Sequence, residues 1–163
     1  MEGGTIRLQS KDGKEFEISK KAGCLSELIK GTIKDYSEDN IISLQEIDDK
    51  TTEKIIEYLN HFNDKSPPEI EKPLTSIELK NITDEWSADF IDKLLLEDLI
   101  NLTVASNFMG INSLLDLCCA KISCLCKDKN EEEIIKIFNI TETFTEEEKE
   151  KIRKDNQWIE DNI

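Results

Sequence analysis

The sequence predicts a mixed α/β domain of the α+β kind, with a small sheet first and helices after it. Three observations carry this. Strict alternation of apolar and polar residues is confined to the N-terminal part of the chain, at Ile6 and Leu8, Phe16 and Ile18, and the short run Ile41, Ile42, Leu44. Later segments repeat apolar residues at three- and four-residue steps, the spacing of a helix face. The longest apolar-rich run, Leu94 to Cys126, lies among these helices in an otherwise highly charged chain.

That run reads as two helices. The first ends at Gly110, suited to the left-handed residue that closes a helix. The second starts from Asn112 or Ser113, both good caps. The first helix carries two apolar stripes: Leu99, Leu102, Ala105, Ser106 and Met109 on one side, Ile100, Val104 and Phe108 on the other. Leaving either stripe bare forfeits roughly 25 cal/mol per Å² of apolar surface kept in water. Periodicity alone therefore favours a hairpin buried at the centre of one domain. The alternative is that another protein completes one face. The second helix repeats Ile111, Leu115, Cys118, Ile122 and Leu125, widened by Leu114, Leu117 and Cys119.

In chain order, residues 5–19 form a hairpin turned at Lys11-Asp12-Gly13-Lys14. Residues 22–33 read as a helix with Leu25, Leu28 and Ile29 inside, weakened by Gly23 and Gly31. Residues 35–40 are a polar loop, and 41–44 a strand. A helix from about Thr51 to Phe62 turns Ile55, Ile56, Leu59 and Phe62 inward. Residues 63–83 hold all three prolines among polar residues and read as a mobile surface linker. Trp86 opens a short helix with Phe90 and Leu94. After Cys126, Asn130-Glu131-Glu132-Glu133 and Thr145-Glu146-Glu147-Glu148 each set a cap residue three before a carboxylate, the capping-box pattern. The last helix has few apolar anchors (Ile152, Trp158, Ile159) and needs a docking surface.

The totals narrow the function. The 163 residues suit one domain with an appendage. With 36 acidic against 21 basic residues, the net charge is −15, which repels nucleic-acid phosphates and anionic membranes. Proteins are the expected partners, with no nucleic acid and no membrane. The start, MEGGTIRLQSKDG, lacks the apolar region of a signal peptide. Cysteines are odd in number, and four of the five crowd one helix, which favours a reducing compartment, cytoplasmic or nuclear.

No active site emerges. The single histidine, His61, ends an amphipathic helix, where a cation is favoured by the helix C-terminus, so a structural role is the default. Cys118, Cys119, Cys124 and Cys126 include no CxxC pair, and neighbouring cysteines on a helix point about 100° apart. Free core thiols are the expectation, with a thiol enzyme or redox sensor as the rival. No catalytic residue, metal site or cofactor is expected, and the chain reads as a binding protein.

The ordered segments Ala105-Ser106-Asn107-Phe108-Met109-Gly110-Ile111, Leu114-Leu115-Asp116-Leu117, Phe138-Asn139-Ile140, Phe144-Thr145-Glu146-Glu147-Glu148 and Ile152-Arg153-Lys154-Asp155-Asn156-Gln157-Trp158 resemble the signature of the S-phase kinase-associated protein 1 family. The segment from Leu8 to Gly13 with Phe16, and that from Trp86 to Phe90, extend the likeness over nearly the whole chain. These are the adaptors of SCF (SKP–cullin–F-box) ubiquitin ligases. Elongin C, which shares the core but lacks the last two helices, fits less well.

The resemblance implies a BTB/POZ fold: a three-stranded sheet with helices over residues 1–126, including the flexible linker 63–83, then a two-helix C-terminal extension over 127–163. It implies a cullin-binding face at Asn107 and Phe108. It implies an F-box-binding face from Leu99, Ile100, Thr103, Leu115, Cys119 and Ile122 with Ile134, Phe138, Ile140 and Trp158. The implied function is a non-enzymatic adaptor bridging a cullin scaffold to F-box substrate receptors. The alternative is a divergent BTB/POZ protein that self-associates or holds F-box proteins outside a cullin ligase; a weak homodimer of the free chain is also left open. Three departures stand out. Phe108 replaces the family's usual Tyr and loses a hydroxyl. Thr103 stands where Ile is common. Glu131 takes the place of a Pro, so any modification of that proline is ruled out here.

Overall fold

The computed structural model describes residues 4–35, 41–141 and 144–157. The chain divides after Lys127 into two compact units.

The first unit is built on a three-stranded sheet in the order β2-β1-β3. Strands β1 (Thr5–Ser10) and β2 (Glu15–Ser19) form the expected hairpin, antiparallel with Ile6 opposite Ile18 and Leu8 opposite Phe16. β3 (Ile41–Leu44) lies parallel to β1 on its other side, with Leu8 beside Ile42. The period-two pattern does what it must: Ile6, Leu8, Ile18, Ile42 and Leu44 are buried, while Thr5, Glu15, Glu17 and Ser43 face water. Between β2 and β3 the chain makes α1 (Lys20–Gly23) and α2 (Glu27–Thr32). The single helix expected over 22–33 is thus broken. Ser26 causes the break, because its side chain accepts from the Ile29 backbone N–H at 3.2 Å and starts a new helix there. Gly23 sits where a Cβ would come within 2.8 Å of Ile6 and 2.9 Å of Ile29.

Helix α3 (Asp49–His61) is capped by Asp48, which accepts from Thr51 N–H at 2.7 Å, and buries Ile55, Tyr58 and Leu59. The expected linker over 63–83 is instead laid against the core. Leu79, within a 3-10 turn at Leu79–Asn81, is buried, and Ile70, Leu74 and Ile82 pack against the same cluster. Proline content signalled irregular backbone correctly, but Ile70, Leu74, Leu79 and Ile82 anchor the segment. Helix α4 (Glu85–Asp92) follows, capped by Asp84.

Helices α5 (Leu96–Met109) and α6 (Asn112–Cys126) form the central hairpin. Gly110 adopts φ 62°, ψ 40° as expected. The Gly110 N–H returns to Asn107 O at 3.1 Å and the Ile111 N–H to Ser106 O at 2.9 Å, the paired bonds of a Schellman closure. Neither Asn112 nor Ser113 caps α6. The cap position is Ile111, which makes no side-chain cap bond and is fully buried. Burial of an apolar residue, rather than a polar side chain, fixes where this helix starts.

The second unit holds α7 (Glu131–Ile137) and α8 (Glu146–Asp155). Both expected capping boxes are present, Asn130 with Glu133 and Thr145 with Glu148. None of its described residues is buried. The expected anchors Trp158 and Ile159 and most of the loop at 35–40 lie outside the described residues.

Gly110→Ala places a Cβ in the left-handed region and 3.0 Å from Glu27 Cβ. The expected loss is about 1–2 kcal/mol, the cost of that backbone conformation for an L residue. Urea unfolding checks it: the midpoint falls while the slope stays constant.

Candidate functional site: the bare row of helix α5

The two stripes of α5 have different fates. Leu99, Leu102, Ala105, Ser106 and Met109 enter the core. Ile100, Val104 and Phe108, one turn apart along the helix, remain 40%, 65% and 47% exposed. The expectation of a hairpin covered on both sides therefore fails for α5, since none of the described residues of the first unit covers its outer row. Large apolar groups set in line on one helix face are the pattern of a surface that a partner covers.

Beside the row lies a cleft of about 280 Å³. One wall is the turn into α3, with Glu46, Ile47, Asp48 and Thr51, and the other is Asn101, Val104, Ala105 and Phe108 of α5. Ile47 is buried at its floor. Asp98 at the start of α5 is held at 2.7 Å by Lys50 of α3, which ties the two walls together. A wider hollow of about 580 Å³ lies between Pro67–Ile70 and the start of α6, spanned by a Lys72–Asp116 ion pair at 2.8 Å. None of the large exposed apolar residues among those described lines it, so it lacks the anchor surface that the α5 cleft has.

The residues expected on a cullin face are both outward: Asn107 is exposed and Phe108 stands at the end of the row. Those expected on an F-box face are scattered. Leu99 is a correction. At 2% exposure it belongs to the core, because it lies on the inner stripe of α5 and faces the residues buried against α3 and α6. Ile100 is exposed, but it continues the row of Val104 and Phe108. Thr103 is half-buried, and its hydroxyl donates back to Leu99 O at 2.6 Å. It also lies within bonding reach of the Cys118 thiol, so it faces α6. On α6, Leu115 and Ile122 are half-buried and Cys119 is exposed. In the second unit, Ile134 and Phe138 are half-buried and Ile140 is 44% exposed. Trp158 lies outside the described residues. Val104 and the cleft residues Glu46, Ile47 and Asp48 are the surface that residue-by-residue assignment overlooks. Val104 was legible in the stripe, whereas the acidic wall needs the fold to bring it alongside.

The residues weighed for catalysis have structural settings. The ring of His61 stacks on Trp86 at 3.5 Å and 4°, with Nε2 3.2 Å from Lys65 Nζ. Burial first, and then the Lys65 charge, hold its pKa below the ordinary value against the opposing pull of Asp84. Both act against the cation expected at that helix end. All five cysteines are free; Cys118 alone is buried, Cys119 beside it and Cys24 are exposed, and Cys124 and Cys126 are intermediate. Burial pushes the Cys118 thiol up to about 12 and also raises Cys124, the reverse of what a reactive thiolate needs.

Residues 4–64 match the family model described as "Skp1 family, tetramerisation domain", and residues 112–159 match "Skp1 family, dimerisation domain". The chain is 39% identical over 156 residues to a protein named S-phase kinase-associated protein 1 homolog of Tetrahymena thermophila, covering 96% of this chain and 94% of the relative. It is 37% identical to the SCF ubiquitin ligase complex protein SKP1a of Dictyostelium discoideum, covering 96% of both chains. It is 33% identical to the E3 ubiquitin ligase complex SCF subunit sconC of Arthroderma otae, covering 96% of this chain and 94% of the relative. The chain has the BTB/POZ fold, with the family's POZ model matching residues 4–64, and it belongs to the Skp1 family.

Two measurements follow from the buried groups. Limited alkylation should label Cys24 and Cys119 in the folded protein and reach Cys118 only on unfolding. Burial raises Cys118 from 9.0 and Tyr58 from 10.0, each to about 12. Both groups are protonated in either state below pH 9, where their contribution to stability is complete. Between about pH 9 and 12 the unfolded chain releases these protons first, so stability should fall as pH rises through that window. Urea midpoints measured across it check the sign, and Cys118→Ala should flatten the decline.

Proposed function

We propose that this chain is the adaptor subunit of an SCF-type E3 ubiquitin ligase, bridging a cullin scaffold to F-box substrate receptors. Two of its relatives are named as subunits of SCF complexes, which supports the reading. The single observation that carries it is the bare row Ile100, Val104, Phe108 with Asn107 beside it. The adaptor is not itself an enzyme. Its contribution is to hold a receptor and a scaffold at fixed spacing, so that ubiquitin transfer by other subunits becomes effectively intramolecular. The α5 row and its cleft bind the cullin. The F-box contacts proposed for the first unit are Leu115, Cys119 and Ile122, and those for the second unit, taken by itself, are Ile134, Phe138 and Ile140, each meeting apolar side chains of F-box helices. The proposed location is cytoplasmic and nuclear.

Asn107→Lys with Phe108→Lys should abolish cullin binding in a pull-down while an F-box peptide is still retained. Both side chains are exposed, so the fold survives the change. Undiminished cullin capture by the double variant, or a stable homodimer of the free chain that binds no cullin, overturns the assignment.

A further inference from the structure

The segment after α3 holds a motif that the α5 site does not use. Of the three prolines in the chain, only Pro67 follows a serine or threonine, Ser66. The residue before a proline is confined to extended backbone, and Pro67 is confined in turn by Pro68. Ser66 is exposed and lies outside any helix or strand. Among the described residues, 66–75 make no backbone–backbone hydrogen bond. Ile70 and Leu74, with the Lys72–Asp116 ion pair, hold this stretch by side chains. An enzyme can therefore take up the chain around Ser66 without breaking a hydrogen-bonded ladder.

Protein kinases bind their acceptor residue in an extended chain. A proline at the next position brings no N–H into the kinase cleft, whereas any other residue there would leave that N–H unpaired against an apolar surface. We propose that Ser66 is the phosphate acceptor of a proline-directed protein kinase, and that the phosphate it gains pairs with Lys65. In the transfer the Ser66 Oγ attacks the γ-phosphorus of ATP. The Oγ–P bond forms as the bond from that phosphorus to the β–γ bridging oxygen breaks; ADP leaves, and the hydroxyl proton passes to the kinase's carboxylate base.

The neighbouring charges decide where the phosphate turns. It carries about −1.5 to −2 charges at pH 7. Glu27, Glu69 and Asp116 line the hollow beyond Pro67, and Asp116 already holds Lys72. Lys21 is engaged by Asp64. Lys65 is exposed, and its ammonium lies 3.2 Å from His61 Nε2. A phosphate on the next residue is the stronger partner for that ammonium. Drawing Lys65 off the ring removes a charge that opposes protonation of His61 and leaves Asp84, which favours it. His61 is the only histidine of the chain, so its ring reports the pairing without ambiguity. Modification of Ser66 does not depend on the scaffold assignment above.

The test incubates the full chain with a purified mitogen-activated protein kinase, a proline-directed enzyme, and magnesium ATP, and locates phosphate by peptide mass spectrometry. The parent should gain phosphate at Ser66. Ser66→Ala should lose it, while Ser66→Thr, which keeps a hydroxyl, should still accept it. Pro67→Ala should react about tenfold more slowly, since alanine frees Ser66 from the extended region. No phosphate on Ser66 of the parent, or equal rates for the parent and Pro67→Ala, overturns the site. NMR of the His61 ring across a pH titration checks the pairing: its midpoint should move up on phosphorylation, and move less in phosphorylated Lys65→Ala. An unchanged midpoint in the parent, or an equal shift in Lys65→Ala, overturns the pairing with Lys65.

Discussion

The turn at Gly110 is the constraint on which the rest of the molecule depends. It closes α5 and aims α6, and it also joins the helical hairpin to the sheet-bearing part of the chain. The Ser26 hydroxyl donates to Met109 O at 2.6 Å in a buried setting, and the Glu27 N–H donates to Gly110 O at 3.3 Å. The last carbonyls of α5 are thus satisfied by the start of α2, far away in sequence, rather than by water. Met109 and Ile111, on either side of the glycine, are both fully buried. Moving this turn would unseat both flanking side chains and orphan two backbone acceptors together.

Because the junction is fixed, the rotation of α5 about its own axis is fixed, and that decides which residues the molecule shows to others. One stripe locks into the core while the other is left over. The helix therefore divides its apolar residues: the inner row holds the fold, and the outer row is left exposed, the row proposed above to take a partner. Burial by that partner recovers the hydrophobic free energy that folding alone leaves unclaimed.

Much of this was legible in the sequence. The hairpin, the third strand, the two capping boxes and the left-handed glycine follow from local rules, because each is decided by a few neighbouring residues. The stripes of α5 were visible too, but periodicity cannot say whether a second stripe is covered, since the covering elements come from elsewhere in the chain. The same limit explains the misreading of residues 63–83, where prolines predict irregular backbone but say nothing of Leu79 reaching the core. It also explains Leu99, which family resemblance assigned to a surface and tertiary packing placed inside. The acidic wall facing α5 was the least legible feature, because Glu46 and Asp48 are brought alongside Asn101, Val104 and Phe108 only by the fold.

The second unit draws its structure from caps more than from packing, since none of its described residues is fully buried. Any receptor that grips it must therefore immobilise its side chains as part of the same event, and the entropy of doing so comes out of the binding free energy. Grip on this part of the chain is accordingly looser than the contact area alone would give.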